Sequence, residues 1–249
     1  MSQNSIQDSA AQMRAEIHHL GILLGQSLTR QEGAGLYELV EKIRILSKDN
    51  PSEVAQILAR IDLDSAIKLA RAFSVYFHIA NITEQFFRSK DRIEERLNKG
   101  SWLSQFAAKI KESDISTETI QNAFKNLHVR PVFTAHPTEA SRRSVLLKLK
   151  RIAELLNEKY SNSNLSNVSD DQFSEIIDLL WQTDELRLER PEVLDEARNA
   201  MNYLDDAATG ALPEVLQELH KISQELGVSN ILKPTDTPLV FGSWIGGDR

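Results

Sequence analysis

Arg130-Pro-Val-Phe-Thr-Ala-His-Pro-Thr-Glu-Ala-Ser-Arg-Arg143 is where the chain changes character. The apolar spacing on both sides of it is helical. Within it a short apolar run, 129–135, is held extended by Pro131 and stopped by Pro137, which predicts a strand. His136 precedes a proline, and the clash with the proline ring keeps it out of the helical region, at the end of that strand. Pro137-Thr138-Glu139 reads as a helix start with Thr138 as the cap. The helix it opens is predicted over about 139–160, with Val145, Leu146, Leu149, Ile152, Ala153 and Leu156 on one face. Free amides of that first turn carry partial positive charge, a setting that suits an anion. Arg142 and Arg143 fall within the first turn or two, where the helix dipole disfavours cations, so they pair with acids or face a bound anion. Histidine titrates near neutrality and suits acid–base work, although a structural histidine beside surface ion pairs is the competing reading.

A second extended segment lies near the other end. Thr237-Pro-Leu-Val-Phe-Gly-Ser-Trp-Ile reads as a strand running into Gly246-Gly-Asp-Arg249, whose glycines permit a close turn. Strands separated by a long helical excursion pair in parallel, and a two-stranded parallel sheet is not a stable unit alone. Its apolar edges would also be a liability. The expectation is the N-terminal part of a longer protein; the competitor is an independent all-helical domain with two extended segments.

The remaining pattern is helical. After a polar start over 1–10 that reads as frayed, Met13, Ile17, Leu20, Leu24 and Leu28 fall near a 3.6-residue period over 11–28, and Leu36, Leu39, Val40, Ile43 and Leu46 repeat it. Asn50-Pro51-Ser52 breaks the pattern, and Pro51 or Ser52 opens the next helix. Over 64–88, Ile67, Leu69, Ala70, Phe73, Phe77, Ala80 and Phe87 make a run apolar on more than one side, predicting a helix packed centrally in a bundle. Ser116 or Thr117 caps another helix. Residues 161–170 read as a polar linker, followed by helices over 174–189, 192–209 and 213–226, with Gly227 as a stop.

Composition narrows the function. A formal charge of -7 argues against a nucleic-acid-binding surface. There is no cysteine, which removes disulfides and thiolate metal sites. The start of the chain lacks a secretory pattern and no apolar cluster is long enough to span a bilayer, so a soluble, cytoplasmic protein is expected. His18 and His19 diverge on a helix, while His78, His128 and His220 lack ligand spacing, so no metal site is expected in this chain.

Phe133-Thr-Ala-His-Pro-Thr-Glu-Ala-Ser-Arg-Arg resembles the Thr-Ala-His-Pro-Thr-Glu block of phosphoenolpyruvate carboxylases. Ala72-Phe-Ser-Val-Tyr-Phe-His-Ile-Ala-Asn-Ile-Thr-Glu-Gln is similar to that family's early helix. Leu180-Trp-Gln-Thr-Asp-Glu-Leu-Arg, Arg190-Pro191 and Asp195-Glu-Ala-Arg resemble its next helical segments. Gly242-Ser-Trp-Ile-Gly-Gly-Asp-Arg resembles the beginning of its second signature.

The resemblance implies a lyase that joins phosphoenolpyruvate and bicarbonate into oxaloacetate and phosphate, feeding the tricarboxylic acid cycle. It implies Mg2+ or Mn2+, a cytoplasmic homotetramer in the full-length form, and no nucleic-acid or membrane partner. The fold implied is mainly α, the helical N-terminal part of a TIM-type α/β barrel with two short parallel barrel strands at about 129–135 and 238–244. Residues 1–128 would be a helical bundle region and 129–249 the first strand, the helical excursion and the second strand. The rest of the barrel and the C-terminal helices would be missing. His136 inherits the family's catalytic histidine, and Trp244 the tryptophan lining an apolar pocket beside the substrate, although a core tryptophan at a strand end is the bland reading. Arg249 opens the polar loop at the site's mouth, and Arg142 and Arg143 match the family's paired arginines. The metal-binding acids and the other catalytic groups lie beyond Arg249, so the chain alone is expected to be inactive. Two alternatives stay open: a phosphotransferase with His136 as phosphorylated nucleophile, and a helical interaction module without catalysis.

Overall fold

The structure, a computed structural model, describes residues 3–133, 143–160, 168–184, 192–228 and 238–244, with side chains from Asp8 onward except at Asn199. It is mostly helical: α1 (Gln3–Glu32), α2 (Ala34–Asp49), α3 (Pro51–Leu58), α4 (Leu63–Lys99), α5 (Trp102–Lys111), α6 (Thr117–Lys125), α7 (Arg143–Tyr160), α8 (Asp170–Trp181), α9 (Val193–Thr209) and α10 (Ala211–Glu225). Two short strands, β1 (Val132–Phe133) and β2 (Gly242–Ser243), complete the described elements. The chain divides into two compact units, Met1–Arg92 with Ser141–Leu186, and Ile93–Ala140 with Arg187–Arg249.

In the first unit α1 sends Leu20, Leu24 and Leu28 inward at four-residue spacing, one stripe of a helix. Ala72, Val75 and Ile79 of α4, Ile152 and Leu156 of α7, and Phe173, Ile177 and Trp181 of α8 close around that stripe. Gly25 in the middle of α1 leaves room for α2: a Cβ there would stand 2.6 Å from the Tyr37 ring. Three polar clasps tie the termini of these helices. Buried Glu16 of α1 accepts from Lys159 Nζ at 2.8 and 2.9 Å and from the Tyr160 hydroxyl at 2.8 Å. Burial, reinforced by Glu16 as acceptor, pushes the Tyr160 hydroxyl well above the usual phenol range. Arg71 of α4 donates to the carbonyls of Trp181 and, at 2.9 Å, Thr183, while its guanidinium lies 4.9 Å from the centre of the Trp181 ring. It thereby serves orphan carbonyls at the end of α8 with a cation, the charge that end favours. Asp178 of α8 accepts from Arg30 of α1 at 2.8 Å. Burial raises the Asp178 carboxyl, but hydrogen bonds from Ser27, Arg30 and Gln31 together outweigh it and hold the group below the ordinary carboxylate range.

The second unit has a smaller core. Ala107 of α5, Ile120 of α6, Ile222 of α10 and Val228 pack together with Leu103, Ile110 and Phe124 around them. Leu226 joins this core just before α10 is closed by Gly227 at φ 74°, where Val228 N–H donates to Ser223 O at 2.9 Å and Gly227 N–H to Gln224 O at 3.0 Å. That double bond pattern needs a left-handed residue, which glycine adopts without strain. Beside the core an apolar groove of about 560 Å³ runs between α5, α6 and α10.

Most helix limits follow the sequence pattern, with Asn50 capping α3 through a bond from Glu53 N–H and Ser116 capping α6 through one from Thr119 N–H. Four points differ. The helix expected over 174–189 begins earlier, at Asp170, because Ser169 and Gln172 form a capping box, and it ends at Trp181. Residues 185–189 lie outside the described residues, as do 134–142, where the start of the helix expected from 139 falls. α5, capped by Ser101 accepting from Ser104 N–H, was not expected at all. α4 runs on to Lys99 through a charged tail that holds Glu95–Lys99 at 3.0 Å. It is also less central than its composition implies: it buries one face, while Ile67 and Phe77 are both 58% exposed.

The first-unit clasps make two predictions. Arg71→Met, which keeps the aliphatic stem but removes the donors, should cost about 2 kcal/mol in urea unfolding. Asp178→Asn should lower stability at pH 7 by about 1 kcal/mol. Because the folded carboxyl is depressed, its contribution is present above the unfolded value near pH 4 and lost below it, so the variant should also lose part of the wild-type fall in thermal midpoint on acidification.

Candidate functional site at the strand ends

β1 and β2 pair in parallel, with Val132 opposite Gly242 and Phe133 opposite Ser243, and an isolated bridge joins Val129 to Leu239. The ladder is built from alternate residues of the first strand. Val129 N–H donates to Pro238 O at 2.7 Å; Val240, Gly242 and Trp244 donate to the carbonyls of Val129, Pro131 and Phe133 at 2.9, 2.8 and 2.9 Å. Pro131 has no N–H to return, so it fits a ladder position that uses only its carbonyl. Gly242 lets the strands approach: a Cβ on it would stand 3.3 Å from Val132 Cγ2. Because the strands are parallel, both leave the pair at the same end.

Of the residues singled out from the sequence, Trp244 stands at that end. Its N–H is fixed by Phe133 O, yet its side chain is 58% exposed. Within this chain the indole is thus not part of a core. Arg143 belongs to the first unit, where it opens α7 and is exposed, with no ion pair to another described residue. His136, Arg142 and Arg249 lie outside the described residues.

Three rings that the sequence did not single out flank the pair. Phe133 stacks on Phe241, centroids 5.9 Å apart and planes at 27°, and on Tyr203 of α9 at 6.5 Å and 30°. Phe133 and Phe241 could have been found from their matching places, each three residues before a motif residue; nothing in the sequence marks Tyr203. Among the described residues no three His, Cys, Asp or Glu side chains gather as a metal site, and no helix is long and apolar enough to cross a membrane. Neither Arg143 nor Trp244 lines the groove on α5, α6 and α10. The strand ends therefore offer an exposed indole and a stack of three rings on backbone held in fixed register.

Gly242→Val should force the strands apart at Val132. The expected result is at least tenfold faster amide exchange at Val240 and Trp244 with exchange in α1 and α8 unchanged, read by hydrogen–deuterium exchange.

The sequence model of the phosphoenolpyruvate carboxylase family matches residues 13–249. The phosphoenolpyruvate carboxylase of Aeromonas salmonicida is 32% identical over 251 residues, covering 96% of this chain and 28% of the relative. That of Acinetobacter baylyi is 33% identical over 260 residues, covering 98% and 29%. That of Roseiflexus castenholzii is 31% identical over 258 residues, covering 95% and 27%. The chain spans less than a third of the length of these relatives.

Proposed function

The chain belongs to the phosphoenolpyruvate carboxylase family, and on that footing we propose that it is the N-terminal part of an enzyme that carboxylates phosphoenolpyruvate with bicarbonate. The observation that carries the proposal is the match over 13–249, which takes in both strand motifs in order. The parallel pairing supports it, because β1 and β2 deliver the residues after Phe133 and Ser243 to one end, as the carboxyl ends of barrel strands do. In this reading the barrel begins at residue 129, preceded by a helical region over 1–128, and its remaining strands and C-terminal helices belong to polypeptide beyond Arg249.

The reaction divides into steps that balance. A bicarbonate oxygen attacks the phosphoryl phosphorus, the bond to the enol oxygen breaks, and carboxyphosphate and the enolate of pyruvate result. Carboxyphosphate loses its proton and splits into carbon dioxide and phosphate, and the enolate carbon attacks carbon dioxide to give oxaloacetate. His136 accepts the carboxyphosphate proton. Arg142, Arg143 and Arg249 hold oxyanions of the substrates, for which a planar fork of donors suits phosphate and carboxylate alike. Trp244 walls off water, so that carbon dioxide stays near the enolate and the enolate is not protonated instead.

The family's divalent ion, Mg2+ or Mn2+, would screen phosphoryl charge when bound. In this reading its ligands belong to polypeptide beyond Arg249. The full-length protein is then a cytoplasmic homotetramer that supplies oxaloacetate to the tricarboxylic acid cycle.

The purified chain should form no oxaloacetate above background in an assay coupled to NADH oxidation. Joined to the remaining part of the Aeromonas salmonicida relative it should be active, and His136→Asn should lower that activity by about a hundredfold or more. Activity of the isolated chain, or an unaffected His136→Asn, would overturn the reading. Labelled phosphate trapped on His136 would replace it with a phosphotransferase.

A further inference from the structure

The groove between α5, α6 and α10 takes no part in the proposed reaction, yet its lining is that of a contact surface. It holds about 560 Å³ and lies wholly within the second unit. Of the residues lining it, Trp102 is 73% exposed, Phe106 one turn further along α5 is 54% exposed, and Ile115 is 47% exposed. Single exposed apolar side chains are ordinary on a protein surface, whereas several around one hollow mark a site of contact. Lys109 is the only charged residue among the described ones that line the groove, and it has no ion pair to another described residue. From Trp102 to Ile110 the wall follows α5 for about 12 Å, the length of about two helical turns. The walls are helices, whose interior amides and carbonyls already serve one another, so an extended segment would find no ladder to join. A helix brings its own backbone bonds and needs from the groove only side-chain contact.

We propose that this groove seats an amphipathic helix from the polypeptide beyond Arg249, with apolar residues at three- and four-residue spacing against Trp102 and Phe106 and an acid beside Lys109. The inference rests on the reading of the chain as the N-terminal part of a longer enzyme. Two observations favour this occupant over a second copy of the chain. The chain covers 28% of the Aeromonas salmonicida relative, which leaves most of such a protein to be packed, and β2, the last described element, belongs to the unit that carries the groove. A two-fold pairing of grooves, in contrast, sets two lysine-bearing surfaces together with no acid in either lining to answer them.

The test puts the photocrosslinking residue p-benzoylphenylalanine in place of Phe106 in the 249-residue chain joined to the remaining part of the Aeromonas salmonicida relative. Irradiation should give an adduct within one chain. Mass spectrometry should find it on a peptide beyond Arg249 whose apolar residues recur at three and four and which carries an Asp or Glu in the same stretch. An adduct joining two chains, an adduct on a peptide without that spacing or acid, or no adduct above the unirradiated control would overturn the inference. Should the Phe106 variant fail to fold by circular dichroism, p-benzoylphenylalanine in place of Trp102 carries the same test. The adduct is read whether or not the joined enzyme turns over. An inactive enzyme with the expected adduct removes the proposed reaction and keeps the helix in its groove; an active enzyme without the adduct does the reverse.

Discussion

Two strands that run the same way cannot be closed by a turn; the chain must travel back to the starting end before the second can begin. Everything between Phe133 and Gly242 answers that requirement. The excursion does not simply return. Its first half, α7 and α8, joins the core of the first unit, and its second half, α9 and α10, joins the second unit. Each unit is thus made of two separate stretches of chain, and the few hydrogen bonds between Val129–Phe133 and Pro238–Trp244 are the seam where the second unit's two stretches meet as strands. Pro131 and Gly242 are what let that seam be tight.

Much of this was legible. Helices with one apolar stripe, such as α1 with Leu20, Leu24 and Leu28, announce themselves by period, and caps such as Asn50 and Ser116 announce their starts. The two strands were legible because proline and glycine bracket them, and their parallel sense followed from the distance between them. Less legible was what period alone does not carry. α5 is short and keeps Trp102 and Phe106 exposed, so no clean stripe marks it. The tail of α4 is held by charge pairs, which look like loop composition. α4 buries less than its composition predicts because Ile67 and Phe77 are apolar by type but outward by position.

The candidate site was legible in a different way. Family resemblance named His136, Trp244 and the arginines, and physics named a histidine before a proline at a strand end. Neither could name Tyr203, because a tyrosine on an amphipathic helix carries no signal of the strand it will meet. The exposure of Trp244 was equally hidden: a tryptophan at a strand end is buried or open according to what packs over it, and sequence spacing is silent on that.

The clasps between α1 and α8 have a consequence for how the chain is made. His19 and Asp170 meet at 2.9 Å across 151 residues of sequence, and the apolar stripe of α1 faces Phe173, Ile177 and Trp181 over a similar span. A ribosome adding about 5 to 20 residues per second needs roughly 8 to 30 s to supply that partner. Through that interval the leucines of α1 lack the helix that completes their cover, a window in which a nascent-chain chaperone would find a binding stripe.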